Sequence, residues 1–252
     1  VIQAIDRAAK VLSSLQGARR LGISELSTAL SLPPSTVHGI VKSLQQHGLV
    51  AKEPGGNRYM LGPALLKLSN VYLDTLDVRA RGMRWTHELA RRTGLAVRLG
   101  VRLLDEVVII HHDSRPDGSE QMPETGLAIP AHASAMGKVL LAYQPHEQAA
   151  SLALRSLTGD TITDPGVFRA DLEKVVDEAL ATEKNEAILG ESSAAAPVVD
   201  HSGAVVAAVA VVMPTTEFPP APTMLNDLRE TARNISRELG AAQWPPTSGL
   251  IR

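Results

Sequence analysis

The chain has 252 residues, 44% apolar and 21% charged, a composition that suits one or two globular domains with real cores and excludes disordered or collagen-like chains. It has no cysteine, which removes disulfides, thiolate metal sites and cysteine nucleophiles together and fits a reducing compartment. The net charge of −2 divides unevenly: residues 1–68 hold eight Lys or Arg against three acids, or +5, while the remainder holds 17 against 24, or −7. A basic front joined to an acidic remainder suggests a nucleic-acid module attached to a domain with another partner. The first turn carries Asp6 and Arg7 and no signal-peptide pattern, and the longest uncharged apolar run, 204–213, is about half of a bilayer span. A cytoplasmic protein without a membrane segment is therefore expected.

Ile5, Ala8, Ala9, Leu12 and Leu15 fall at helical spacing, so residues 4–16 read as an amphipathic helix stopped by Gly17. Ser24 is a suitable N-cap for a short second helix over 25–30. After the turn Ser31-Leu32-Pro33, Pro34 suits the first turn of a third helix, whose Val37, Ile40, Val41 and Leu44 share a core face. The opposite face then holds Ser35, Gly39, Lys42 and Gln46, flanked by Thr36, His38 and Ser43. Two helices joined by a tight turn, the second beginning with small polar residues, match the helix-turn-helix that delivers side chains to base edges. In that reading Ser35, Thr36, His38 and Lys42 contact DNA, and Gly39 leaves room for close approach. The alternative is an ordinary solvated helix face. The hairpin that follows, 49–52 and 58–61 around Pro54-Gly55-Gly56-Asn57, has Lys52 and Arg58 beside its tip and reads as a wing for the sugar-phosphate backbone.

Residues 1–62 thus form a winged helix-turn-helix domain, and Pro63 opens a linker helix to Asp77 whose apolar arc is too wide for a lone surface helix. That arc is expected to pack partly on the winged helix and partly on a second subunit. Residues 78–240 form the second domain, with a helix at 79–93 closed by Gly94. Strands are expected at 96–101, 107–111, 198–199 and 205–213, the last apolar enough to be covered on both faces. Helices are expected at 134–143, 146–157, 170–183 and 223–239, and residues 241–252 read as a flexible tail. The class is α+β.

The second domain offers little chemistry. The segment His132-Ala133-Ser134-Ala135-Met136-Gly137-Lys138-Val139 lacks the first glycine and the hydroxyl of a Walker A loop. His132 and Ser134 could serve a hydrolase, but the nucleophile-elbow pattern is missing, and Ser134 is more simply a helix N-cap. Adjacent His111 and His112 point to opposite faces of a strand and cannot easily share a metal with Asp113. Neither His87-Glu88 nor His146-Glu147 is followed by the second histidine of a zinc hydrolase. No catalytic residue, cofactor or metal site is assigned.

Several runs resemble the IclR family of bacterial transcriptional regulators: Ala4-Ile5-Asp6-Arg7-Ala8, Ile23-Ser24-Glu25-Leu26, Leu32-Pro33-Pro34-Ser35-Thr36-Val37-His38, Gly48-Leu49-Val50 and Tyr59-Met60-Leu61-Gly62. The most specific is Pro130 to Ala142, and Ala196-Pro197-Val198-Val199-Asp200 is the next. The stretch from His111 to Asp117 is similar to the branch of glycerol-operon regulators of actinobacteria. The resemblance implies a winged-helix DNA-binding domain, a linker helix and a GAF-like effector-binding domain on an antiparallel sheet. It also implies dimers or tetramers on palindromic double-stranded DNA, with a small organic effector altering DNA affinity, commonly as repressors of catabolic operons. Gly39 stands where the family usually has Arg, so Ser35, Thr36, His38 and Lys42 carry more of the recognition. Effector contacts would come from Ala135, Met136, Glu183, Ser193, Ala210 and Val212. Met136, Ala210 and Val212 are apolar and Glu183 would repel an anion, so a less anionic or partly apolar effector is expected. A winged helix that binds proteins rather than DNA is the other reading of the residues.

Overall fold

The structure, a computed structural model, describes residues 2–145, 149 and 151–246. The chain divides into two compact units, 1–75 and 76–252.

The first unit is built on α1 (Gln3–Ala18), α2 (Ile23–Leu30) and α3 (Pro34–Gln46), then β1 (Val50–Lys52), β2 (Tyr59–Leu61) and α4 (Ala64–Asp74). Its core joins Val11 and Leu15 of α1, Leu26 of α2, Val37, Val41 and Leu44 of α3, and Val50 and Tyr59 of the hairpin. The buried stripe of α1 runs through Ala8, Val11, Leu12 and Leu15, and Ile5 is exposed. The apolar run therefore names the right helix and only part of the right face. Ser24 does not cap α2. The helix starts at Ile23 with Gly22 as N-cap, and the Glu25 carboxylate accepts the Gly22 N–H at 2.6 Å. No residue of α4 is buried, and Leu66, Leu68, Val71 and Tyr72 are exposed.

The second unit contains α5 (Asp77–Thr93), β3 (Ala96–Leu103), β4 (Glu106–Asp113), β5 (Ala128–Pro130), α6 (Ala135–Ala142), α7 (Pro165–Glu178), β6 (Ala181–Lys184), β7 (Glu191–Val199), β8 (Val205–Pro214) and α8 (Pro222–Glu238). The strands form an antiparallel sheet in the order β5-β4-β3-β8-β7-β6. Helices α5 and α8 pack on one face, where Gly82 faces Leu99 and Ile235. On the other, α6 and α7 join Val107, Ile109, Ala195, Ala208 and Ala210. β8 is covered on both faces, as its uniform apolarity demands.

Four expectations are corrected here. The helix expected at 170–183 is α7, which starts earlier because Asp164 caps Val167 N–H and Pro165 takes the first turn, and ends where Ala179 turns left-handed at φ 49°. Glu183 consequently lies on a strand. β7 extends back to Glu191 through a Ser- and Ala-rich run of weak strand propensity, held between β6 and β8. Of the helix expected at 146–157, residues 151–157 form turns and irregular backbone, and 146–148 and 150 lie outside the described residues. The tail is not loose from 241: the Trp244 indole N–H donates to the Pro197 carbonyl at 2.8 Å and Arg233 stacks over its ring. Residues 247–252 lie outside the described ones.

Helix α6 seats unusually close to the preceding turn, because a Cβ on Gly137 would lie 2.0 Å from the Ala131 carbonyl oxygen. Gly137→Ala should therefore force α6 off the sheet and cost about 2 kcal/mol or more in urea unfolding of the second unit. Unchanged stability would show that the seating is not tight.

Candidate functional site

In the first unit, burial of Val37, Val41 and Leu44 turns the other side of α3 outward. Ser35, His38, Gly39 and Lys42 are exposed there, and Thr36 is half-buried. A side chain at Gly39 would meet nothing within 4 Å. The wing pairs Val50 with Leu61 and Lys52 with Tyr59, and Gly55 supplies the left-handed turn at φ 72°. The start of α2 and the wing flank a groove of about 460 Å³ lined by Lys52, Asn57 and Arg58 among others.

All three acids of residues 1–68 hold a cation: Asp6 pairs with Lys10 at 2.8 Å, Glu25 with Arg58 at 2.8 Å, and Glu53 with Arg20. Arg7, Arg19, Lys42, Lys52 and Lys67 make no ion pair among the described residues. The sequence excess of +5 is thus carried by five identifiable side chains, of which Lys42 stands on the outward face of α3 and Lys52 on the wing. Arg58, by contrast, must exchange Glu25 for a phosphate before it can contact DNA.

In the second unit, a cavity of about 10 Å³ lies between the sheet and the start of α6. Met136, Glu183, Ser193, Ala210 and Val212 line it, as do Arg98, Ile129, Ser134, Ala187 and Glu191. Ala135 is buried but does not reach the lining. The bulge at Gly100 lets Met136 close in, since a Cβ there would stand 3.1 Å from its sulfur. Ser134 caps α6 by accepting the Gly137 N–H at 3.1 Å. The sequence carried a sign of Arg98 that went unread: a cation inside the apolar run Ala96-Val97-Arg98-Leu99 needs buried partners.

Those partners are Glu124 and Glu191. Arg98 Nη2 donates to Glu124 Oε1 at 2.8 Å, its Nε donates to the same carboxylate, and Nη1 donates to Glu191 Oε1 at 2.8 Å. These bonds outweigh burial and raise the guanidinium pKa, and the same guanidinium holds Glu124 below the usual carboxylate range. Glu183 accepts from the Ser193 hydroxyl at 2.8 Å and from the Glu186 N–H at 3.0 Å. Burial nevertheless pushes its pKa up to about 7. Behind it, the buried Lys138 ammonium lies 2.5 Å from Glu186 and 2.8 Å from Asp171.

The remaining singled-out residues are placed elsewhere. His132 bonds the Arg155 carbonyl at 2.8 Å, and its hydrogen bond is not to Ser134. His111 contacts Asp113 at 3.0 Å while His112 lies 3.6 Å from Glu124, so the adjacent histidines face different partners. Among the described residues no group of three His, Cys, Asp or Glu could hold a metal ion, and no helix is long and apolar enough to cross a membrane. A larger cleft of about 290 Å³ between α6 and α7 is mostly apolar, with Gln144 and Arg169 as its polar groups. It lacks the convergent polar groups of the small cavity.

A winged helix with an outward polar recognition face, joined to a sheet domain holding a buried polar cavity, is the arrangement of an effector-responsive DNA-binding regulator. The model of the IclR helix-turn-helix domain matches residues 4–54 and that of the bacterial transcriptional regulator IclR C-terminal domain matches residues 70–237. The chain belongs to the IclR family of transcriptional regulators. It is 40% identical to the glycerol operon regulatory protein of Streptomyces griseus, over 96% of this chain and 98% of that one. An IclR transcriptional regulator from Silicibacter sp. TM1040 superposes with a TM-score of 0.83 at 25% identity, covering 96% of this chain and 98% of that one. An IclR homolog from Microbacterium hydrocarbonoxydans, solved with 4-hydroxybenzoate, shares the fold with a TM-score of 0.77 at 22% identity, covering 94% and 99%.

Two outcomes follow from the sites themselves. Gly39 sits inside a helix with open space around it, so Gly39→Ala should stabilise the first unit by about 0.5–1 kcal/mol in thermal or urea unfolding; a loss would mean the position is crowded. Because the folded pKa of Glu183 lies above its ordinary 4.5, its contribution to stability is complete below about 4.5 and is lost as pH rises through 7. Up to roughly 3 kcal/mol is at stake. Urea unfolding of the second unit should weaken between pH 5 and 8, and Glu183→Gln should flatten that dependence. An unchanged slope in the variant would remove Glu183 as its source.

Proposed function

We propose that this regulator binds palindromic operator DNA as a dimer or tetramer, represses an adjacent catabolic operon, and has its operator affinity modulated by a small organic effector bound in the second unit. The observation that carries the DNA reading is the outward face of α3, where Ser35, His38 and Lys42 are exposed beside an open Gly39. Ser35, Thr36 and His38 read base edges, while Lys42, Lys52 and Arg58 neutralise phosphates. The exposed apolar residues of α4 suit a second copy of the chain, and a two-fold pair of winged helices would place the two copies of α3 in major grooves ~34 Å apart. The effector contacts are Met136, Glu183, Ser193, Ala210 and Val212, with Ala135 behind them. The relative named for the glycerol operon supports a polyol-utilising operon as the target. The protein acts in the cytoplasm by binding, without catalysis, cofactor or metal, and domain limits of 1–62, 63–77 and 78–240 serve these roles.

Effector binding changes DNA affinity only as far as it favours one of two arrangements of the dimer. Lys42→Ala should weaken binding to operator DNA in gel-shift titrations by about 5- to 10-fold at 0.1 M salt and lower the salt slope by about one. Unchanged affinity in a folded variant would refute the assigned face.

A further inference from the structure

The cavity beside α6 carries more hydrogen-bond acceptors than donors. Arg98 is its one full positive charge, and it is already spent: its guanidinium makes four hydrogen bonds, two to Glu124 and two to Glu191. An arginine has five N–H donors, so at most one remains for a ligand. The side chain is 7% exposed, and of its two carboxylate partners Glu191 lines the cavity. Glu183 adds a second acid, 5% exposed, whose oxygens each accept one bond and retain a lone pair for another. Ser193 already donates its hydroxyl to Glu183, whereas Ser134 accepts the Gly137 N–H and keeps its own O–H to donate. An anion entering here would meet no uncommitted cation and would face the acids Glu183 and Glu191 in a poorly solvated space.

Resting on the effector reading above, we infer that this cavity selects a small uncharged polyol, which donates to Glu183 and Glu191, and that it rejects anions built on the same carbon skeleton. Hydroxyl groups suit the walls because each donates to a surplus carboxylate oxygen, while the carbon skeleton lies against Met136, Ala210 and Val212. A compact ligand is required: at about 10 Å³ the closed cavity holds roughly one water, and the polyol must bind an arrangement in which the walls have parted. That opening gives the ligand different affinities for two conformations, the condition for altering DNA binding. The specificity residues are therefore Glu183 and Glu191.

The test is isothermal titration of the full chain at pH 7.5 with glycerol, erythritol, glycerol phosphate and pyruvate, repeated on Glu183→Gln and Glu191→Gln after circular dichroism confirms folding. At least one neutral polyol should bind at least 10-fold more tightly than either anion. Glu183→Gln should weaken that polyol by about 5- to 10-fold, and Glu191→Gln, by freeing part of the Arg98 fork, should narrow the preference against glycerol phosphate. Tighter binding of an anion to the unmodified chain, lost in Ser193→Ala, would overturn the inference while leaving the cavity as the effector site. Polyol binding untouched by Glu183→Gln, or heat from none of the four probes, would overturn both the inference and the placement of the effector here.

Discussion

The second unit depends on how closely α6 lies on its sheet. With no side chain at Gly137, the helix begins against the Ala131 carbonyl and descends onto β7 and β8. That depth carries Lys138 into the interior, where it is 1% exposed and can be tolerated only because Glu186 and Asp171 meet its ammonium. The same descent puts Ser134 and Met136 on the cavity wall opposite Glu183. Glu186, which holds the lysine through its side chain, holds Glu183 through its backbone N–H. The buried ion pairs and the cavity thus form one connected network that reaches α6 through Lys138 and α7 through Asp171.

The first unit solves the opposite electrostatic problem. It keeps its charges at the surface and cancels only those near an acid, so the unpaired excess falls on side chains that include Lys42 on α3 and Lys52 on the wing. Exposed ion pairs such as Arg58 with Glu25 are worth little in water, and a phosphate can take the place of the acid. Residues 69–252 carry the remaining −7. A nearly neutral total hides two domains built for different partners.

Much of this was legible in the sequence, and the failures share a cause. The period of α3 and the Gly-rich hairpin tip are local signals, so the helix-turn-helix, the wing and the outward residues could be read directly. Five of the six cavity residues taken from the family resemblance line the same small space, although they come from α6, β6, β7 and β8. What escaped was set by tertiary contact. Residues 181–184 continue a helical pattern but pair with β7, and the Ser- and Ala-rich start of β7 becomes a strand only between its neighbours. Trp244 stood in a segment of loop composition, and only the fold shows that the Pro197 carbonyl awaits its indole. Arg98 was visible as an isolated charge in an apolar strand, but its partners lie 26 and 93 residues away.

The basic winged helix is the part of this regulator that reads DNA sequence. The most direct test is to let the full chain select duplexes from a random pool and then measure their affinity by fluorescence anisotropy across a salt series. The pool should yield two-fold symmetric sequences that bind at least ~10³-fold more tightly than random duplex, with log K falling linearly against log salt concentration. A pool that shows no enrichment, or selected duplexes that bind no better than random DNA, would contradict it.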